Sequence, residues 1–122
     1  MIDREYPEYR KHLGNLISEL RKELPGPLEG FSTLHQNAVA DGALSNKHKE
    51  LIAIAIAIST GCEGCIAFHV HDALKAGATR EELIETIGVA VLMGGGRALM
   101  YSSEALEALD QFKTASAHLT SV

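Results

Sequence analysis

Cysteine is scarce in this chain. Only Cys62 and Cys65 occur in 122 residues, which excludes a fold held by a disulfide framework. Set three apart, with His69 four residues further on, the pair points instead to thiol chemistry or metal binding. Basic clusters are also lacking: eleven Lys and Arg face sixteen Asp and Glu, a formal charge of −5, and nothing more basic occurs than Arg21-Lys22 or Lys47-His48-Lys49. Neither nucleic acid nor an anionic membrane is therefore an expected partner. The longest apolar run, Leu51 to Ile58, is far too short to cross a bilayer, and Met1 to Tyr6 has neither the basic start nor the apolar core of a secretory signal. A cytoplasmic location is the expectation, and in that reducing compartment a neighbouring cysteine pair is redox-active or metal-binding rather than a permanent staple. No repeat, low-complexity tract or linker divides the chain. Its length fits one domain, residues 1–122, which buries about two-thirds of the surface exposed by its unfolded chain.

What is present reads as helices. Leu13, Leu16, Ile17, Leu20 and Leu24 recur at the three-and-four spacing of one buried stripe, predicting a helix from about Pro7 to Leu24 that Pro25-Gly26-Pro27 ends. Leu28, Phe31, Leu34, His35, Ala38 and Val39 predict a second helix, closed by Asp41-Gly42. Ser45 or Asn46 caps a third, Lys47 to Thr60. There the Ile/Ala alternation of Leu51 to Ile58 mimics a strand, yet alanine is itself apolar and a poor strand former, so a buried helix fits as well. After Gly61, Cys62 to Ala76 reads as a helix with Cys65, Ile66, Phe68, His69, Ala73 and Leu74 inside, stopped by Gly77. Thr79-Arg80-Glu81-Glu82 is a capping box that launches Leu83, Ile84, Ile87, Val91 and Leu92. Gly94-Gly95-Gly96 breaks the pattern before a last helix, Arg97 to about Leu119, with Leu99, Met100, Ala105, Leu106, Leu109 and Phe112 on its stripe.

A strand leading into CxxC at a helix start is also how a thioredoxin-like domain begins. That fold needs further strands and a cis-proline opposite the cysteines, whereas the only prolines here, Pro7, Pro25 and Pro27, all precede Cys62. The periodicities favour an all-α chain.

On a helix turning about 100° per residue, Cys65 lies roughly 60° from Cys62 and His69 projects between them, while His71 points about 180° from Cys62. A cysteine in the first helical turn meets unpaired backbone N–H groups that favour its thiolate, which is the position of Cys62. Cys65 has His69 one turn away to accept its proton or stabilise its anion. Two such thiols supply the steps of a peroxidase or disulfide reductase: one attacks peroxide or disulfide, and its partner closes the internal disulfide. Spacing does not decide which attacks first. Glu50 stands just before eight apolar residues, where burial of a carboxyl favours its proton-carrying form and suits it to proton transfer. Equally, it can sit solvated in the first turn of its helix and complement the macrodipole.

Other readings stay open at this level. Cys62, Cys65 and His69 offer three zinc ligands, with Glu50 or a residue of a partner chain as a fourth, although a second CxxC or HxxxH knuckle is missing, and buried inert cysteines are the blander choice. His12, His35, His48 and His118 are isolated and read as surface or core residues. Gly94 to Gly96 before Arg97 reads as a bend or close helix contact rather than an anion site. The Ile/Ala helix is an oligomer seam as readily as a monomer core.

Glu50, Cys62-Glu63-Gly64-Cys65 and His69 together resemble the alkylhydroperoxidase D-like (AhpD-like) branch of the carboxymuconolactone decarboxylase family. The flanks Leu44 to Ile52 and Ala76 to Leu83 look like that family's, so the similarity covers about Phe31 to Leu109. The resemblance implies an all-α bundle of about six helices with the CxxC at the N-terminus of a central helix. It further implies a homo-oligomer, trimer or hexamer, and an enzyme without a cofactor or a metal. In the family scheme Cys65 meets the peroxide, Cys62 exchanges with an outside thiol reductant, and Glu50 and His69 relay protons. The implied substrate is a hydroperoxide or a disulfide. Where the best-studied peroxidase members carry a histidine just before the second cysteine, this chain has Gly64, and those enzymes are longer. The namesake activity, lactone decarboxylation, needs no cysteine and is one alternative; a non-enzymatic redox- or zinc-binding assembly module is another.

Overall fold

Ser45 sets the helix that decides between strand and helix for the Ile/Ala run. Its hydroxyl accepts the His48 backbone N–H at 3.2 Å, and the helix that follows, α3 (Asn46–Thr60), closes on Gly61 in the left-handed conformation, φ 71° and ψ 44°. Ile54, Ala57 and Ile58 lie inside while Ile52 and Ile56 are about half exposed, the signature of a 3.6-residue period. The computed structural model describes residues 4–120; Met1–Asp3, on which part of the leader reading rests, and the side chain of His118 lie outside the described residues. The other elements are α1 (Tyr6–Glu23), α2 (Pro25–Val39), α4 (Glu63–Lys75) and α5 (Arg80–Thr120). Among the described residues there is no strand and no cis peptide bond, so the thioredoxin-like alternative has no support.

The fold is all-α with five helices where about six were expected. The difference lies at the glycine triplet: only Gly95 leaves helical geometry, at φ 69° and ψ −147°, so α5 bends there and continues. Its start is the expected capping box, with the Thr79 hydroxyl accepting the Glu82 N–H at 3.1 Å and the Glu82 carboxylate accepting the Thr79 N–H at 2.8 Å. Pro25 occupies the first turn of α2, which begins three residues before Leu28 because a proline there forfeits no helical hydrogen bond.

The core forms where α3 packs against α4 and α5. Ile54, Ile58, Ile66, Val70, Leu83 and Leu109 are fully buried, each stabilising by about 1.5–3 kcal/mol through removal from water. Between them Ala57, Ala67, Ala73, Ala90, Ala98, Ala105 and Ala108 let the helix backbones approach closely.

Several stripes expected inside are not. Leu16, Ile17 and Leu20 of α1 and Leu24 just after it are 40–51% exposed, and of that helix only Tyr6 is buried. Phe31 and Leu34 of α2 are more exposed still, and on α5 Leu99, Met100 and Leu106 face out while Ala98, Ala105, Leu109 and Phe112 face in. The apolar pattern marks more faces than the core of one chain covers. By length and composition alone, the stretch Arg80–Ser116 of α5 is also apolar enough to cross a membrane.

Gly61 is where α3 turns into the cysteine helix, and its replacement has a predictable cost. An added Cβ would strain the left-handed backbone and collide with the Arg97 guanidinium and the edge of the Tyr101 ring. Arg97 also donates from there to the Ser59 and Thr60 carbonyls, each at 3.4 Å. Gly61→Ala is expected to destabilise by about 1–3 kcal/mol, read as a lowered melting temperature in thermal unfolding.

Candidate active site

Cys62 is the residue before the first turn of α4, with extended backbone, and its sulfur accepts the Cys65 backbone N–H at 3.1 Å. The helix start therefore holds the two residues against each other, with Cα atoms 5.2 Å apart and the sulfurs joined in a disulfide. His69 follows Cys65 by one turn. Its Nδ1 lies 2.7 Å from Glu50 Oε2, which crosses from α3 through the turn at Gly61. Glu50 is only 2% exposed, so it is buried rather than solvated. A carboxylate can only accept, so against an ionised Glu50 it is Nδ1 that carries the hydrogen, and Nε2 is the ring nitrogen left to take a proton. All four expected residues thus meet at one place.

Three of them, with Glu50 behind His69, line a cavity of about 520 Å³. Leu13, Ile17, Phe31 and Phe68 give it apolar walls, and Cys62, Cys65 and His69 open into it. Arg21 stands at the same cavity and donates to the Ser32 hydroxyl at 3.2 Å. Gly64 lies below Leu13, whose Cδ1 would be 3.1 Å from a Cβ added there, so a side chain at position 64 has to displace the wall of the cavity. A second imidazole reaches the cavity from another helix. His35 of α2 lines the cavity with its ring centroid 6.0 Å from that of His69.

His35 and Asp72 were missed by reading the sequence. His35 had been set aside as isolated, although it is the one polar residue on an apolar stripe of α2, and that was the available signal. Asp72 follows His69 by three and so shares its face. His71 points away as expected; its ring packs 5.6 Å from that of Phe112 and lines a separate cavity. A further network escaped notice because it joins residues far apart in sequence. Arg4 pairs with Glu63, the residue between Cys62 and Gly64, and Tyr6 donates to Glu104 Oε1 at 3.2 Å. Burial, reinforced by the facing acids, pushes the Tyr6 hydroxyl and the Glu104 carboxyl above their ordinary titration ranges.

Comparison with known proteins places this geometry. Residues 25–108 match the carboxymuconolactone decarboxylase family. The crystal structure of an apo protein of that family from Legionella pneumophila is 49% identical, superimposes with a TM-score of 0.86, and is matched over 90% of this chain and 98% of that one. An uncharacterised protein of Cupriavidus necator is 42% identical over 86 residues, 70% of this chain and 76% of its own length. The alkyl hydroperoxide reductase AhpD of Mycolicibacterium paratuberculosis is 27% identical over 73 residues, which is 60% of this chain but only 41% of that protein.

Proposed function

Because the chain belongs to the carboxymuconolactone decarboxylase family, we propose that it is a thiol-dependent peroxidase or disulfide oxidoreductase cycling Cys62 and Cys65 between dithiol and disulfide. The observation that carries the reading is the bonded cysteine pair opening, beside His69 with Glu50 behind it, into a cavity with apolar walls. The partial likeness to AhpD supports the same direction.

The chemistry balances as follows. His69 Nε2 takes the Cys65 proton, and the thiolate attacks the terminal oxygen of a hydroperoxide. A sulfur–oxygen bond forms as the oxygen–oxygen bond breaks, and the alcohol leaves with the proton from His69. The Cys62 thiol, whose thiolate is favoured at the helix start, then gives its proton to His69 and attacks the Cys65 sulfenic acid; the disulfide closes as the sulfur–oxygen bond breaks, and the hydroxide leaves with that proton as water. An external thiol reductant returns two electrons through exchange at Cys62. Glu50 fixes the ring and balances the imidazolium that forms in each cycle.

Assembly and setting belong to the same proposal. The exposed apolar faces of α1, α2 and α5 are those a trimer or hexamer of this chain would cover. A cytoplasmic setting without a membrane or nucleic-acid partner is part of the same reading, supported by the formal charge of −5 and the lack of a basic cluster.

The test is direct. Reduced native protein is treated with one equivalent of an organic hydroperoxide, its remaining thiols are alkylated, and intact mass is measured. Loss of both thiols in each chain, reversed by a dithiol, is expected; two thiols still free after treatment would overturn the reading.

A further inference from the structure

Beside the cysteines, three helices deliver a second set of donors to one point. His35 from α2, Glu50 from α3, and His69 and Asp72 from α4 each place a ligand-type atom so that all four lie within 4.8 Å of one another. No sulfur belongs to the set. We infer that these four residues form a binding site for a divalent first-row transition ion of the zinc class, separate from the cysteine pair.

Three features argue for a cation there. Glu50 is almost wholly buried, and among the described residues the ion pairs of the two carboxylates go to histidines, Glu50 to His69 at 2.7 Å and Asp72 to His71 at 2.9 Å. With neutral imidazoles the group carries two negative charges, which one divalent ion balances. The donor set is the second feature. Two imidazole nitrogens with two carboxylate oxygens suit zinc and its neighbours, whereas magnesium and calcium prefer oxygen throughout. A tetrahedral ion with ligands about 2.0–2.2 Å away holds them roughly 3.3–3.6 Å apart, so modest side-chain rotations draw the group in from its present spacing. The third feature is access. A cavity of about 400 Å³, lined by Asn46, Lys75 and Ala76 as well as His35, Glu50 and Asp72 and by neither cysteine, reaches the cluster. His35 and Asp72 also line the cysteine cavity, so the cluster stands between the two.

This site differs from the one the sequence alone suggested, in which Cys62 and Cys65 were themselves ligands. Occupancy also engages His69 and Glu50, so on the thiol-redox reading zinc inhibits turnover. The binding test does not depend on that reading.

Metal-stripped protein with its disulfide intact is titrated with cobalt(II) and with zinc, by calorimetry and visible absorption. One ion per chain is expected, with four- or five-coordinate cobalt absorption, no sulfur-to-cobalt charge-transfer band, and displacement by zinc. His35→Ala and the isosteric Asp72→Asn should each weaken zinc binding by at least about 10-fold, while His12→Ala, on the exposed side of α1, leaves it unchanged. As a second measurement that needs no variant, zinc should protect His35 and His69 from acylation by diethyl pyrocarbonate, mapped by mass. The inference is overturned if the oxidised protein binds no ion, if both variants bind as tightly as the parent, if zinc leaves those two histidines unprotected, or if cobalt binds only after reduction and with a sulfur charge-transfer band.

Discussion

On the proposed thiol-redox reading, Cys65→Ser is expected to lower hydroperoxide turnover by more than about 10³-fold while leaving the fold intact, because it removes the atom assigned there to attack the peroxide. Serine is close in size, and Cys65 is only partly buried against the core, so thermal unfolding should scarcely change. The partner variant separates the two sulfurs. Cys62→Ser keeps the attacking thiol but has no second sulfur to close the disulfide. It should therefore consume one equivalent of hydroperoxide, hold one added oxygen on Cys65, and then stop. Mass measurement after a single addition, beside steady-state rates, reads both outcomes. If Cys62→Ser resists oxidation and Cys65→Ser takes up the oxygen, the roles are reversed and Cys62 attacks first. If both variants turn over at the parent rate, or if the double variant keeps full activity on a lactone acid, the redox reading fails and the family's namesake chemistry takes its place.

How far the sequence foretold this site depends on the range over which each signal acts. Cys65 and His69 lie within one helix and Cys62 caps its start, so their nearness followed from local spacing, and Ser45, Gly61 and the Thr79–Glu82 box announced helix ends through bonds spanning a few residues. Glu50 is different. Its spacing could not say whether it faced water or His69, because that depends on how α3 crosses α4 beyond Gly61. His35 went unrecognised for the same reason, since α2 reaches the site only through tertiary packing.

The apolar stripes misled in another way. Leu16, Ile17, Leu20 and Leu24 repeat as a buried face should, yet within one chain they stay exposed. A hydrophobic period reports that a face is to be covered and is silent on what covers it. The alanines show the converse. Ala98, Ala105 and Ala108 hold α5 against the core but stand out little in a pattern dominated by Leu99, Met100 and Leu106, which point away.

The position of Glu50 leads to a test in which activity and stability part company. Glu50→Gln should cut the rate of hydroperoxide reduction by about 10²-fold or more, yet alter stability by no more than about 1 kcal/mol. The carboxylate can only accept from His69, which fixes the hydrogen on Nδ1 and leaves Nε2 free to take a proton. An amide of the same shape either accepts or donates. Once it donates, the hydrogen moves to Nε2 and the ring can no longer act as a base toward Cys65. Stability is expected to hold because a hydrogen bond survives in either orientation and a buried negative charge is removed. Glu50→Asp, which keeps the charge but shortens its reach, should recover part of the rate. The comparison needs initial rates, thermal unfolding, and the alkylation rate of Cys65 in reduced protein. A Glu50→Gln protein with unchanged rate and lowered melting temperature would make Glu50 a structural residue, and the proton path to Cys65 would then have to run without it.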